Sequence, residues 1–247
     1  MTDPRNALIV PCYNEAQRLQ QQRFVSFVQA HADIDIWLVN DGSKDNTLQL
    51  LEDMASQCPG RILVYDLPRN GGKAEAIRQS MLHLCQLQQY QYIGFLDADL
   101  SAPLEEALPL FQAISGRQLL IAAGARVKLV GKVIHRSARR HYMGRVFATY
   151  ADTLLQLRNY DTQCGLKIFE QAFARDLFAQ PFISSWFFDI ELFLRARIVL
   201  GQEQYHVRIA ELPLNEWREV KGSKLKSSDF LKAPFEIWKI YRHYKNK

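Results

Sequence analysis

The sequence predicts an α/β fold with a mostly parallel central sheet and helices on both faces. Three observations predict it. Short apolar runs alternate with stretches of helical periodicity through the first half of the chain. The connections between them are short. Each apolar run ends in a polar cluster. Strands joined through helices pair in parallel and bury both faces of their sheet. Ligands of such sheets bind outside the carboxyl ends of the strands.

Residues 7–10 read as a short buried strand, and residues 15–30 as a helix. Residues 34–39 form the next strand, ended by Asn40, Asp41 and Gly42. A helix over 45–54 follows, with Ser43 as the expected cap near its start. Residues 61–67 read as strand and 72–87 as helix, with Ala76, Ile77, Met81 and Leu84 near helical spacing. Residues 92–96 are the fourth strand. The endings are "PCYNE", "NDGSKDNT", "RNGGK" and "DADLSAP". Any one of them reads as a solvated turn, but four on one sheet edge mark a site.

The second half is less regular. Residues 119–125 read as strand, 136–157 as helix, and 162–169 as extended. Helices are expected from about Gln171 and over 186–200, a strand over 205–212, and an amphipathic helix over 228–244. No internal repeat or low-complexity linker interrupts the chain. The expectation is one domain over 1–226, with a basic amphipathic helix over 227–247 that belongs to it or is appended to it.

The 247 residues are 48% hydrophobic and 23% charged, as in an ordinary globular protein. The start "MTDPRNALIVPCYNE" lacks a basic region followed by a long apolar stretch, so no signal peptide is expected. The richest apolar stretch, 186–200, is broken by Asp189, Glu191, Arg195 and Arg197, which excludes a bilayer span there. Cys12, Cys58, Cys85 and Cys164 show no paired spacing and read as free thiols of a reducing cytoplasm. The net charge of +5 is uneven: residues 126–145 hold seven Lys or Arg and no acid, and residues 217–247 hold nine against three acids. An acidic body with two basic patches suggests an anionic partner: phosphate, nucleic acid or an anionic membrane.

Several familiar sites are absent. There is no G-x-G-x-x-G after the first strand, no G-x-x-x-x-G-K-[ST], no G-x-S-x-G and no zinc spacing among the six histidines. The Asp97-Ala98-Asp99 stretch is different. In extended backbone, residues two apart point to one side. Two such carboxylates repel unless a cation lies between them. A hard divalent ion, Mg²⁺ or Mn²⁺, shared with a substrate diphosphate relieves the repulsion and offsets charge on a leaving phosphate.

"IVPCYNE", "VNDGSKDNT", "NGGKAEAI" and "FLDADLS", in this order and spacing, resemble the family 2 glycosyltransferases of GT-A fold. "RNYDTQCGLKIF", "WFFDIEL" and "ELPLNEWREVKGSKL" narrow the resemblance to the branch holding dolichyl-phosphate β-glucosyltransferases and dolichyl-phosphate mannose synthases, the former being nearer. The resemblance spans roughly residues 7–226. It implies that Pro11, Tyr13 and Glu15 line the nucleobase and ribose pocket, that Asp41 hydrogen-bonds the base, and that Lys73 approaches the nucleotide. Asp97 would face the ribose or donor sugar and share a metal with Asp99, the principal ligand. Arg126 matches a basic position near the donor, and Asp161 and Gln163 would meet the donor sugar or the acceptor. Asp189 and Glu191 fall where the family keeps acidic site residues, and Ser223 and Lys224 match a segment near the diphosphate.

The family inverts the anomeric carbon in one in-line displacement. A hydroxyl acceptor then needs a carboxylate base, for which Asp189 is the candidate. A lipid-phosphate acceptor, with its second pKa of about 6, needs none. It needs cations, which Arg136, Arg139, Arg140 and Arg145 could supply; the alternative is a helix with a solvated basic face. The expected reaction moves a hexose, from UDP-glucose in the first instance, to polyprenyl phosphate. A saccharide or other hydroxyl acceptor is the alternative. A nucleic-acid-binding protein is a distant one, because the acidic edge would repel phosphates without metal. Nucleic acid is therefore not an expected partner. The relatives carry membrane anchors that have no counterpart expected here. The stretch 227–247 mixes aromatic and basic residues as an interfacial helix on anionic lipid does, and equally as a helix docked on the core does. The expected location is the cytoplasm or the cytoplasmic membrane face.

Overall fold

A computed structural model of the chain describes residues 5–135, 149–150, 152–220 and 227–245. Strands β1 (Arg5–Cys12), β2 (Ile34–Asp41), β3 (Ile62–Leu67) and β4 (Tyr90–Leu96) alternate with helices α1 (Gln21–Ala30), α2 (Thr47–Gln57) and α3 (Lys73–Leu87). Helix α4 (Ala107–Gly116), strand β5 (Ile121–Ala125) and the short strand β6 (Val133–His135) follow. Strand β7 (Leu166–Glu170) leads into α5 (Gln171–Phe178) and α6 (Phe188–Arg208). Strands β8 (Ile209–Pro213) and β9 (Glu216–Arg218) and helix α7 (Ser227–Tyr244) complete the order.

Seven strands form one sheet in the order β3-β2-β1-β4-β7-β5-β8, and β6 pairs with β9 apart from it. All pairings in the large sheet are parallel except those of β7, which runs antiparallel between β4 and β5. The carboxyl ends of β1 to β5 therefore share one edge with the start of β7. This is the α/β fold that the sequence predicts, with one reversed strand.

Alternation along β1 sorts the core. Ala7 and Ile9 face a cluster built with α3, α5, α6 and α7, while Leu8, Val10 and Cys12 face one built with α1, α2 and α4. All five are fully buried, so the sheet is covered on both faces.

Several local expectations are corrected. The first helix starts at Gln21, not near Glu15, because residues 15–19 form a turn in which the N–H groups of Arg18 and Leu19 both donate to the Glu15 carbonyl. Ser43 does not cap α2. Its hydroxyl accepts from the Asn14 N–H, and Asp45 accepts from the Thr47 N–H instead. Tyr205 belongs to α6, which bends at Gly201 and runs on to Arg208, so the next strand begins only at Ile209. The β6–β9 ribbon had no expectation. Of the helix expected over 136–157, residues 149–150 and 152–155 are helical, and 136–148 and 151 lie outside the described residues.

Candidate active site

The polar strand endings converge on the shared edge. The ending of β1 docks on that of β2 through local hydrogen bonds. Asn14 Oδ1 accepts from the Lys44 N–H at 2.9 Å, and the Glu15 N–H donates to Thr47 Oγ1 at 2.8 Å. The Glu15 carboxylate is held by the Arg18 guanidinium at 2.6 Å. Pro11 and Tyr13 stay half-exposed beside it.

Asp41 is buried, and its side chain faces protein. It accepts from the N–H of Gly71 at 2.7 Å, the N–H of Gly72 at 3.0 Å and Asn70 Nδ2 at 2.9 Å. These contacts clamp the "RNGGK" loop. The loop lies so close that a Cβ on Gly42 would meet the Asn70 nitrogen at 2.5 Å. The clamp sets the start of α3, and with it Lys73.

Lys73 Nζ pairs with Asp97 Oδ1 at 2.5 Å. Burial pushes the ammonium pKa down, but the carboxylates of Asp97, Asp189 and Asp99 outweigh it and hold the pKa above its ordinary value. Asp97 also lies against Gly165, where any Cβ would overlap its carboxylate. Asp97 and Asp99 are not in extended backbone. Strand β4 ends at Leu96, and the Leu100 N–H closes a turn onto the Asp97 carbonyl at 3.1 Å. Leu100 sits at φ 51°, a left-handed conformation that costs a bulky residue energy and that clusters at functional sites. Asp99 Oδ1 accepts from the Ser101 N–H at 2.9 Å and the Ser101 hydroxyl at 2.8 Å, which leaves Oδ2 outside the turn.

Across the edge, Arg126 and Asp161 form a bidentate pair, with Nε and NH2 each 2.7 Å from a carboxylate oxygen. Burial works against the Arg126 charge, yet Asp161 holds its pKa above the ordinary value. The Arg126 guanidinium also lies 5.3 Å from the Trp217 ring centre. Glu211 on β8 fixes the loop by accepting from the N–H groups of Tyr160 and Asp161, and burial raises its pKa despite both donors. Gln163 Nε2 is buried and has no hydrogen-bond partner among the described residues. A native structure seldom leaves such a donor unmet.

Asp189, the candidate base, begins α6 and is 4% exposed. Its Oδ1 lies 2.5 Å from Lys167 Nζ, which is fully buried and also donates to the Cys164 carbonyl at 2.6 Å. Glu191 is a structural carboxylate. It accepts from Arg195, from the Tyr244 hydroxyl and from the Ile183 N–H, all within 2.8 Å. The edge thus gathers Lys73, Asp97, Asp99 and Asp189 in one group and Arg126, Asp161 and Gln163 in another. Ser223, Lys224, Arg136, Arg139, Arg140 and Arg145 lie outside the described residues. Sequence reasoning missed Lys167, Gly165 and Glu211. Lys167 carried a signal, since a lone lysine inside the apolar run "GLKIF" has no water to reach.

No cluster of three His, Cys, Asp or Glu side chains that could hold a metal occurs among the described residues. The donor set still fits a hard divalent ion of the kind bound by one or two carboxylates and completed by substrate phosphates. Asp99, with Oδ2 outside its turn, is the fitting ligand, whereas Lys73 already occupies Asp97 Oδ1.

Residues 7–178 match the model of glycosyl transferase family 2. The chain is 30% identical over 250 residues to a dolichyl-phosphate β-glucosyltransferase of Trichomonas vaginalis, covering 96% of this chain and 71% of that one. It is 28% identical to the human dolichyl-phosphate β-glucosyltransferase, covering 94% and 71%. Among solved structures, Mycobacterium tuberculosis glucosyl-3-phosphoglycerate synthase with Mn²⁺, UDP and glucosyl-3-phosphoglycerate aligns with TM-score 0.69 at 15% identity, over 98% of this chain and 80% of that one. The fold is thus shared with GT-A enzymes, and the chain belongs to glycosyl transferase family 2 and is a glycosyltransferase.

Proposed function

We propose that the protein transfers glucose from UDP-glucose to the phosphate of a polyprenyl phosphate of dolichyl type, with inversion at the anomeric carbon. The sequestered state of Asp189 carries the choice of acceptor. A carboxylate that is 4% exposed and committed to a buried lysine is suited to orienting groups, not to stripping a hydroxyl proton. A phosphate acceptor arrives already ionised and asks for no base. The relatives named dolichyl-phosphate β-glucosyltransferases support the same acceptor and sugar. The solved neighbours holding UDP and UDP-glucose support the donor.

An acceptor phosphate oxygen attacks C1 of the donor glucose, and the bond from C1 to the diphosphate oxygen breaks. The products are a glucosyl polyprenyl phosphodiester and UDP. Pro11, Tyr13 and Glu15 border the nucleoside. Lys73 exchanges its carboxylate partner for a donor phosphate oxygen, a short move for a flexible ammonium. Arg126 and Asp161 hold each other rigid, so that Gln163 Nε2 meets a sugar or phosphate oxygen. Asp99 is the ligand for Mg²⁺ or Mn²⁺, which when bound would neutralise charge on the leaving diphosphate. Ser223 and Lys224 near the diphosphate, and Arg136, Arg139 and Arg140 at the acceptor phosphate, extend the same reading.

The test is transfer from radiolabelled UDP-glucose, with GDP-mannose as comparison, to polyprenyl phosphate in detergent with Mn²⁺. Acid-labile label in the organic phase is expected. Label confined to aqueous saccharide products would overturn the acceptor, and preference for GDP-mannose would overturn the donor.

A further inference from the structure

Helix α7 has two faces of opposite character. Ala233, Ile237, Ile240 and Tyr244 recur at four, three and four residues, and the first three are buried against the helical side of the core. The Tyr244 hydroxyl locks this face down, donating to Glu191 at 2.8 Å and accepting from Arg195 at 2.9 Å. The register of the helix is therefore set by its anchoring, and the opposite face is turned to solvent.

That outer face is neither polar nor random. Phe235 is 56% exposed and Trp238 42% exposed, and their rings stack at 6.0 Å. Lys239 lies 4.7 Å from the Phe235 ring centre and Arg242 5.4 Å from that of Trp238. Positions 235, 238, 239 and 242 are one helical stripe. Glu236 pairs with Lys239 at 2.9 Å, yet residues 227–247 still carry five Lys or Arg against two acids. Two stacked, exposed aromatics are costly in water unless something covers them. Aromatic rings with cations beside them suit the headgroup layer of a bilayer, where rings sit among the ester groups and cations meet lipid phosphates. None of the described helices is long and apolar enough to cross a membrane, so contact by α7 is contact along its side.

We propose that the ridge of Phe235, Trp238, Lys239 and Arg242 docks the protein on an anionic lipid surface. The helix does both jobs that its composition allows: one face holds it to the protein and the other holds the protein to the bilayer. The inference goes beyond the transfer reaction and rests on that reading only for the presence of a lipid nearby.

The experiment is sedimentation of the full chain with vesicles of phosphatidylglycerol and phosphatidylcholine, against vesicles of phosphatidylcholine alone. Wild type should bind the anionic vesicles at least about tenfold more tightly. Phe235→Ala with Trp238→Ala should lose at least about tenfold of that binding. The outward face is not part of the anchoring, so this double variant should keep its melting temperature. The wild-type spectrum minus that of Trp238→Phe isolates Trp238 emission, which should shift to the blue with anionic vesicles. Absence of binding by wild type, or equal binding by the double variant, would overturn the proposal. So would a dimer in sedimentation velocity that the double variant abolishes without lipid, since the ridge would then face a second copy. Transfer in detergent separates the two readings. Wild type that transfers but does not bind vesicles sinks this inference alone, and wild type that binds vesicles but does not transfer sinks the assigned reaction alone.

Discussion

The carboxylate of Asp97 lies directly against the bare Cα of Gly165, and any Cβ at that position would overlap it. The start of β7 thus forms the floor under a charged residue of β4's ending, and Lys73 holds the carboxylate from the other side at 2.5 Å. Gly165→Ala should displace Asp97 and break its pairing with Lys73. Transfer is expected to fall at least about tenfold, with only a small loss of stability because the carboxylate can swing toward solvent. Steady-state rates together with thermal melts test this. An unchanged kcat/KM would mean that Asp97 has no exacting position.

Asp99→Asn should abolish transfer while leaving the fold intact. An asparagine oxygen can still accept from Ser101, so the turn survives, whereas the charge needed by a divalent cation is gone. A loss of several kcal/mol of charge stabilisation corresponds to at least about a hundredfold in rate. Activity at saturating Mn²⁺, with melting temperature as control, decides it. Normal turnover would remove Asp99 from the metal site.

Lys73→Met should keep the length of the side chain and remove its charge. Asp97 and Asp99 would then face each other without it, while Asp189 keeps Lys167. Binding of UDP-glucose measured by calorimetry should weaken about tenfold or more, through the lost contact to phosphate. Mn²⁺ binding measured without nucleotide should strengthen, because a competing cation is gone. Unchanged affinity for both would show that Lys73 only neutralises the acidic group.

Tyr244→Phe should loosen α7 without touching the edge. The change removes one donor to the fully buried Glu191 and one acceptor from Arg195. The cost is about 1–3 kcal/mol. At about 2–4 °C per kcal/mol for a chain of this size, the melting temperature should drop by several degrees, with transfer in detergent retained. A melt unchanged within a degree would show that the hydroxyl does not anchor the helix.

The thiols carry a pH dependence. Burial pushes Cys85 and Cys164 from an ordinary value of 9.0 up to about 11. The folded state therefore keeps its protons where the unfolded chain loses them. The stability this gives is whole below pH 9 and is lost as pH rises through about 11. All four cysteines are buried, so a thiol reagent at pH 8 should label the native protein far more slowly than the urea-unfolded chain. Rapid native labelling of Cys85 or Cys164, read by peptide mass, would contradict this.

The alternation of short apolar runs with helical periodicity was enough to establish the mostly parallel sheet, and the polar strand endings were enough to mark one shared edge as the candidate site. Both are local properties of the chain: period, run length and what terminates a run. The family resemblance was legible for the same reason, since its motifs are contiguous stretches at that edge. The state of each charged side chain was not local. Asp41 is spoken for by a loop 30 residues on, Asp161 by an arginine 35 residues back, and Glu191 by a tyrosine 53 residues on. The sequence singled out Asp99 as the principal metal ligand and Asp189 as the candidate base, and offered Asp41, Asp97, Asp161 and Glu191 as further site residues. Only tertiary structure showed that Asp41, Asp161 and Glu191 clamp protein, while Asp99 Oδ2 lies outside the turn that holds Oδ1. It also turned the "DAD" stretch out of extended backbone and chose the face that α7 presents to solvent. A carboxylate's role follows from which donors surround it, and those donors arrive from distant strands only when the sheet assembles.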